Sequence, residues 1–76
     1  MSTNRNSDKV TVYGFAAANG MDLDRGKQLT EKQAHTHAVF FAMTNGGASY
    51  WIEGSPLDED GVSTTLVNLD ADGEEI

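Results

Sequence analysis

Apolar and polar positions alternate from Lys9 to Ala16. Val10, Val12, Gly14 and Ala16 fall on one face, and Thr11, Tyr13 and Phe15 on the other. This period of two predicts a strand. Both faces carry apolar bulk, so one is expected to lie under a helix and the other under a loop or a partner. The period changes after Leu29. Thr30-Glu31-Lys32-Gln33 is a capping box, with Leu29 placed to staple onto Ala34. Ala34, Ala38, Phe41 and Ala42 follow at i, i+4, i+7 and i+8, one face of a helix. Three alanines in that stripe let the helix sit close on a sheet. Asn45-Gly46-Gly47 supplies the left-handed residue that ends it. The pattern thus predicts a helix within Leu29–Gly46. A competing reading makes Thr36–Glu53 a β-hairpin around Asn45-Gly46. The helix is preferred because cap, staple and alanine spacing agree with one another.

The remaining segments are shorter. Ala17–Gln28 reads as a connection with a turn at Asn19-Gly20. Asp22-Leu23-Asp24 allows only a weak second strand, and the length of the connection implies a hidden strand or a working loop. Ala48–Glu53 alternates as a strand, with Ala48, Tyr50 and Ile52 opposite Ser49, Trp51 and Glu53. Gly54–Gly61 is a loop containing Pro56 and closing at Asp60-Gly61. Val62–Leu69 is β-branched and predicts the last strand. Met1–Asp8 is polar and expected to be a flexible N-terminal arm, and Asp70–Ile76 an acidic C-terminal tail. No internal repeat is read. The expected fold is α+β: one domain over residues 9–69, in the order β-α-β-β, with a single helix on a three-stranded, mostly antiparallel sheet.

Composition narrows what this domain can do. At 76 residues the chain buries only about 60% of its unfolded surface, so there is room for one small core. It has no cysteine, which removes disulfides and finger-type zinc sites. Its net charge of −7 argues against direct binding to nucleic acid or an anionic membrane. The longest apolar run, Ala38–Met43, is far short of a membrane span, and the polar start is unlike a signal peptide. A cytoplasmic protein is expected.

The charge is distributed unevenly. Met1–Ile52 carries four acids and five bases, whereas Glu53–Ile76 carries eight acids and no base. The last third therefore holds the whole excess, the mark of an interaction surface or acidic tail.

Candidate chemistry is sparse. His35 and His37 at i, i+2 point to different faces of a helix and cannot share a metal there. Asn68-x-Asp70-x-Asp72-Gly73 copies the first half of a calcium loop, but Glu74-Glu75-Ile76 ends the chain before the bidentate glutamate. Ser49, Ser55 and Ser63 have no base tied to them by spacing. Asp58, Glu59 and Asp60 sit in a loop without an apolar pocket to raise a carboxyl pKa. No cofactor, metal site or enzymatic activity is expected. Among the aromatics, Trp51 lies on the more polar strand face. It is either half-covered by Leu57 or a loop, or an interface anchor. Phe40 lies opposite the alanine stripe, with Met43 near it.

The acids Glu53, Asp58, Glu59, Asp60, Asp70, Asp72, Glu74 and Glu75 admit three readings: solubility, adaptation to a saline cytosol, or a docking surface for a basic partner. In the third, Asp58-Glu59-Asp60 and Asp70–Glu75 flank an eight-residue strand spanning roughly 26 Å. They would imitate phosphates, spaced one charge per roughly 1.7 Å of duplex axis. In size, lack of cysteine, acidity and the run Leu57-Asp-Glu-Asp-Gly61 with Asp70–Glu75, the chain resembles small phage-encoded inhibitors of host machinery, anti-CRISPR proteins among them. That resemblance of format implies an α+β domain acting by binding, and transfers no residue. The expected function is a non-enzymatic inhibitor that docks on a basic, nucleic-acid-binding surface of a host protein through Asp58, Glu59, Asp60, Asp70, Asp72, Glu74, Glu75 and Trp51. The alternatives are an assembly subunit, including a homodimer, whose seam is Phe40, Met43 and Trp51, and a calcium-dependent module.

Overall fold

The computed structural model describes residues 9–76; the expected N-terminal arm lies outside them. Its elements are β1 (Thr11–Ala17), β2 (Asp22–Leu29), α1 (Glu31–Asn45), β3 (Ala48–Ile52) and β4 (Val67–Leu69). All strand pairs are antiparallel, in the order β2-β1-β3-β4. The α+β class is as expected, and so is the one helix among the described residues. The sheet has four strands rather than three, because the connection after Asn19-Gly20 returns as β2.

α1 forms where the caps place it. The Thr30 hydroxyl accepts from the Gln33 amide at 3.2 Å, and the Gln33 side chain accepts from the Thr30 amide at 3.0 Å. Such a cap is worth about 1 kcal/mol. Gly46 ends the helix in the left-handed region, φ 73°. This decides against the hairpin reading of Thr36–Glu53. Ala34, Ala38 and Ala42 are fully buried, so the helix backbone lies close to the sheet.

The core is Tyr13, Phe15, Tyr50, Ala48 and Leu69 against those alanines, with Leu23, Leu29, Val39, Phe41, Ile52 and Val67 around them. The alternation read from the sequence sends Tyr13 and Phe15 of β1, and Tyr50 of β3, to the helix side. Phe15 is the hub. Its ring stacks on Tyr50 at 6.0 Å and meets His37 and Phe41 at 5.1 and 5.6 Å.

Two strands depart from expectation. β2 shifts register twice against β1, and Gly26 takes φ 72°, as bulged residues do. The irregular register lets Leu23 join the core and Asp24 approach His37 at 3.7 Å, while Arg25 reaches the opposite face. A pattern broken by bulges loses its period of two, so β2 reads as a loop. The strand predicted over Val62–Leu69 is reduced to Val67–Leu69. Its first half is diverted by hydroxyls. Thr65 Oγ1 accepts from the Ile52 amide at 2.9 Å and contacts the Ser55 and Ser63 hydroxyls at 2.8 and 3.1 Å. A side chain thus takes the donor that a ladder carbonyl would have taken, and pairing stops at Tyr50 and Val67.

Candidate functional site

The acidic third is organised by one turn used twice. Leu57-Asp-Glu-Asp-Gly61 and Leu69-Asp-Ala-Asp-Gly73 share the pattern Leu-Asp-x-Asp-Gly, and the structure gives both the same hydrogen bonds. Asp58 Oδ1 accepts from the amides of Asp60 and Val62, each at 2.9 Å. Asp70 Oδ1 accepts from those of Asp72 and Glu74 at 2.9 and 3.0 Å. In each copy the glycine amide donates back to the first aspartate's carbonyl, and that aspartate's amide donates to the carbonyl four residues on. Gly61 and Gly73 take φ 80° and 82°, a conformation that favours glycine. The chain therefore does contain a short internal repeat. A search for long periods passes over a five-residue motif occurring twice, although its letters are plain once aligned.

This changes the roles of the candidate acids. Asp58 and Asp70 are turn-formers, each with one carboxylate oxygen committed to two backbone amides. Glu59, Asp60, Asp72, Glu74 and Glu75 are exposed, and none of these bonds uses their side chains. Residues 70–76 are not a free tail. Leu69 bridges Glu75, and the Ile76 amide donates to Asn68 O at 2.9 Å. Gly73 packs on α1 so closely that a Cβ there would lie 2.7 Å from Val39 Cγ1. The half calcium loop is thus a self-satisfied turn. Among the described residues no three His, Cys, Asp or Glu side chains converge as a metal site.

The two acidic turns lie at opposite ends of the β3–β4 edge. The Ser55 amide and hydroxyl both bond Ile52 O at one end, and Leu69 faces Ala48 at the other. The strand between them is β3, five residues or roughly 16 Å. The longer spacing of roughly 26 Å rested on an eight-residue strand that does not form.

Trp51 is half-buried, while Leu57 is 64% exposed. Trp51 lies on the sheet face away from α1, over Gly14, where an added Cβ would sit 2.7 Å from its ring. The Arg25 guanidinium caps the ring, 5.3 Å from its centroid, a cation–π contact. Glu53 ties the two together. It accepts from Trp51 Nε1 at 3.0 Å and from Arg25 Nε and NH2 at 2.6 and 3.1 Å. Phe40 and Met43 are on the outer face of α1, across the molecule from Trp51, so the expected three-residue seam is not one surface.

The Glu53 carboxyl is held below the usual glutamate range. The Arg25 hydrogen bond is the main cause, opposed by partial desolvation and assisted by Trp51. Because the folded value is the lower one, the stabilisation is fully present above the ordinary glutamate pKa. It is lost as pH falls through the depressed folded value. Trp51 fluorescence is therefore expected to stay constant on acidification through the ordinary glutamate range and to shift red only below it. In Arg25→Met the shift is expected at higher pH. A wild-type shift that does not move in Arg25→Met would show that Glu53 does not control the ring.

The histidines are accounted for by packing. His35 Nδ1 lies 3.1 Å from the Tyr50 hydroxyl, and the His37 ring is edge-on to both Phe15 and Phe41. Ser55 and Ser63 belong to the Thr65 hydroxyl cluster. A shallow groove of about 380 Å³ crosses the open sheet face along the register row Ala16, Ser49 and Asn68, with Ile76 as a wall. No charged residue lines it. Among the described residues no polar or charged side chain is fully buried, and no helix is long and apolar enough to cross a membrane. Comparison with known families, curated proteins and solved structures gives no match.

Proposed function

We propose that the protein is a small, non-enzymatic binding protein that occupies a basic, nucleic-acid-binding surface of a host protein and blocks it by charge and bulk. The observation that carries this reading is the acidic third: eight acids without a base, six of them exposed on or beside two copies of one hydrogen-bonded turn. Ordered carboxylates lose less entropy on binding than those of a flexible tail. Placed at the two ends of a strand roughly 16 Å long, they offer two clusters to Lys and Arg that otherwise hold phosphates. Attraction of this kind raises association rate and suppresses wrong partners. The format shared with phage-encoded inhibitors points the same way.

The test is affinity capture from a lysate of the native host, comparing wild type with Glu59→Lys/Asp60→Lys, which leaves Asp58 to form its turn. Wild type is expected to retain nucleic-acid-binding proteins at about 50 mM salt, to release most of them at about 200 mM, and to release them to short duplex DNA. The variant is expected to retain at least tenfold less. Retention unchanged in the variant, or indifferent to duplex, overturns the electrostatic mechanism. A second reading, an assembly subunit, is favoured by the exposure of Phe40 and Met43. It requires an oligomer in sedimentation that survives high salt.

A further inference from the structure

We infer that the partner is gripped by α1 as well as by the acids: Phe40 and Met43 anchor in an apolar cleft bordered by Lys or Arg, and the Asp70–Glu75 turn is the acidic rim beside them. This rests on the proposed docking function and names the apolar half of its interface.

Three observations meet here. First, the outer face of α1 is unlike an ordinary solvated helix face. Phe40 and Met43 sit three residues apart on one side of α1, so their exposed side chains are neighbours. No Asp, Glu, Lys or Arg occurs anywhere from Gln33 to Ile52, although such a face normally carries charge. Phe40 is 63% and Met43 64% exposed.

Second, the rim is adjacent. Gly73 presses on Val39, and Met43 lies one helical turn from Val39 on the same side. The fold thus sets the exposed Phe40 and Met43 on the helix that the turn carrying Asp72 and Glu74 packs against. An apolar centre with a charged border is the usual anatomy of a protein interface, and large apolar side chains at its centre carry most of the energy.

Third, charge selects the occupant. A second copy carries the same net charge of −7 and the same acidic turn, and like charges disfavour that pairing. An anionic membrane is repelled for the same reason. A protein surface that is apolar and basic satisfies both parts. Trp51, which the sequence made the leading anchor, is occupied by Arg25 and Glu53 and lies on the other side of the sheet.

The experiment uses two labelled helical peptides of equal length and charge, one of Leu and Lys and one of Ser and Lys, titrated with the full chain by fluorescence anisotropy. The expected result is that the Leu/Lys peptide binds at least tenfold tighter than the Ser/Lys peptide. Phe40→Ser/Met43→Ser is expected to remove that difference, with unchanged circular dichroism, while Asp72→Lys/Glu74→Lys weakens both peptides. If Phe40→Ser/Met43→Ser leaves Leu/Lys binding unchanged while Asp72→Lys/Glu74→Lys weakens it, the anchor is refuted and acidic docking survives. Equal binding of the two peptides by wild type has the same meaning. If neither variant changes binding, or neither peptide binds, anchor and acidic docking both fail. A dimer in sedimentation that Phe40→Ser/Met43→Ser dissolves would overturn the assignment in favour of a second copy.

Discussion

Replacing Phe15 with alanine is expected to remove a large share of the domain's stability and to lower its urea midpoint sharply. The Phe15 side chain is 0% exposed and contacts both secondary-structure layers through Tyr50, Phe41 and His37. Truncating a buried phenylalanine costs about 3–5 kcal/mol, the upper part of that range where neighbours cannot collapse into the space. Collapse is restricted here, because the helix backbone already lies close to the sheet through the buried Ala34, Ala38 and Ala42. A domain of this length has in total roughly 4–11 kcal/mol, at about 0.05–0.15 kcal/mol per residue. The loss is therefore a large share of the whole. In urea, with a slope of about 1 kcal/mol/M for a protein this small, the midpoint is expected to fall by about 3 M or more. Phe40→Ala, on the exposed face, is expected to stay within about 0.5 kcal/mol of wild type. A Phe15→Ala midpoint within about 1 M of wild type would remove Phe15 from the centre of the core.

The second large effect is expected at Gly73, with Gly61 as its internal control. Both glycines hold the same position of the repeated turn at nearly the same φ, 82° and 80°. An alanine at either position pays for the left-handed backbone, about 1 kcal/mol. Only at position 73 does the new Cβ also strike a neighbour, 2.7 Å from Val39 Cγ1; at position 61 nothing lies within 4 Å. Overpacking adds about 1–3 kcal/mol. Gly73→Ala is thus expected to destabilise two- to fourfold more than Gly61→Ala in free energy. Val39→Ala should restore much of that difference, since the two residues share one contact. Thermal melts of the four proteins measure it. Equal losses in Gly61→Ala and Gly73→Ala would mean that the acidic turn does not rest on α1. That would also detach the acidic rim from Phe40 and Met43, so the stability cycle bears on the interface as well.

How much of this was legible depended on how local its cause was. The helix was readable to within two residues because its determinants are consecutive or one turn apart: the Thr30–Gln33 box, three alanines at intervals of four and Gly46. The faces of β1 and β3 were readable because a regular strand alternates strictly. β2 was not, since its bulges break the alternation and its residues are mostly polar at an edge of the sheet. Val62–Leu69 looked like a strand by composition, and half of it is not. The Ile52 amide has two available acceptors, a ladder carbonyl and the Thr65 hydroxyl, and composition does not say which one reaches it. The acidic residues were readable as a cluster, but not their division of labour. That Asp58 and Asp70 hold turns while Glu59, Asp60, Asp72, Glu74 and Glu75 face outward follows from which amides lie within reach of each carboxylate.

By itself the sequence determined the class of the fold, the helix with both its caps, the parity of the regular strands and an acidic third with no base in it. These follow from short-range geometry and from counting, and neither needs the chain's return path. Only the tertiary structure decided the fourth strand, the capture of Trp51 by Arg25 twenty-six residues earlier and the contact of Gly73 with Val39. It also decided which aromatic is left exposed: Phe40 on the outer face of α1, while Trp51 lies under Arg25. Each of these is a pairing between distant segments, set by the register of the sheet and the seating of the helix on it. An alternating pattern names the face a side chain takes, but not the neighbour it finds there.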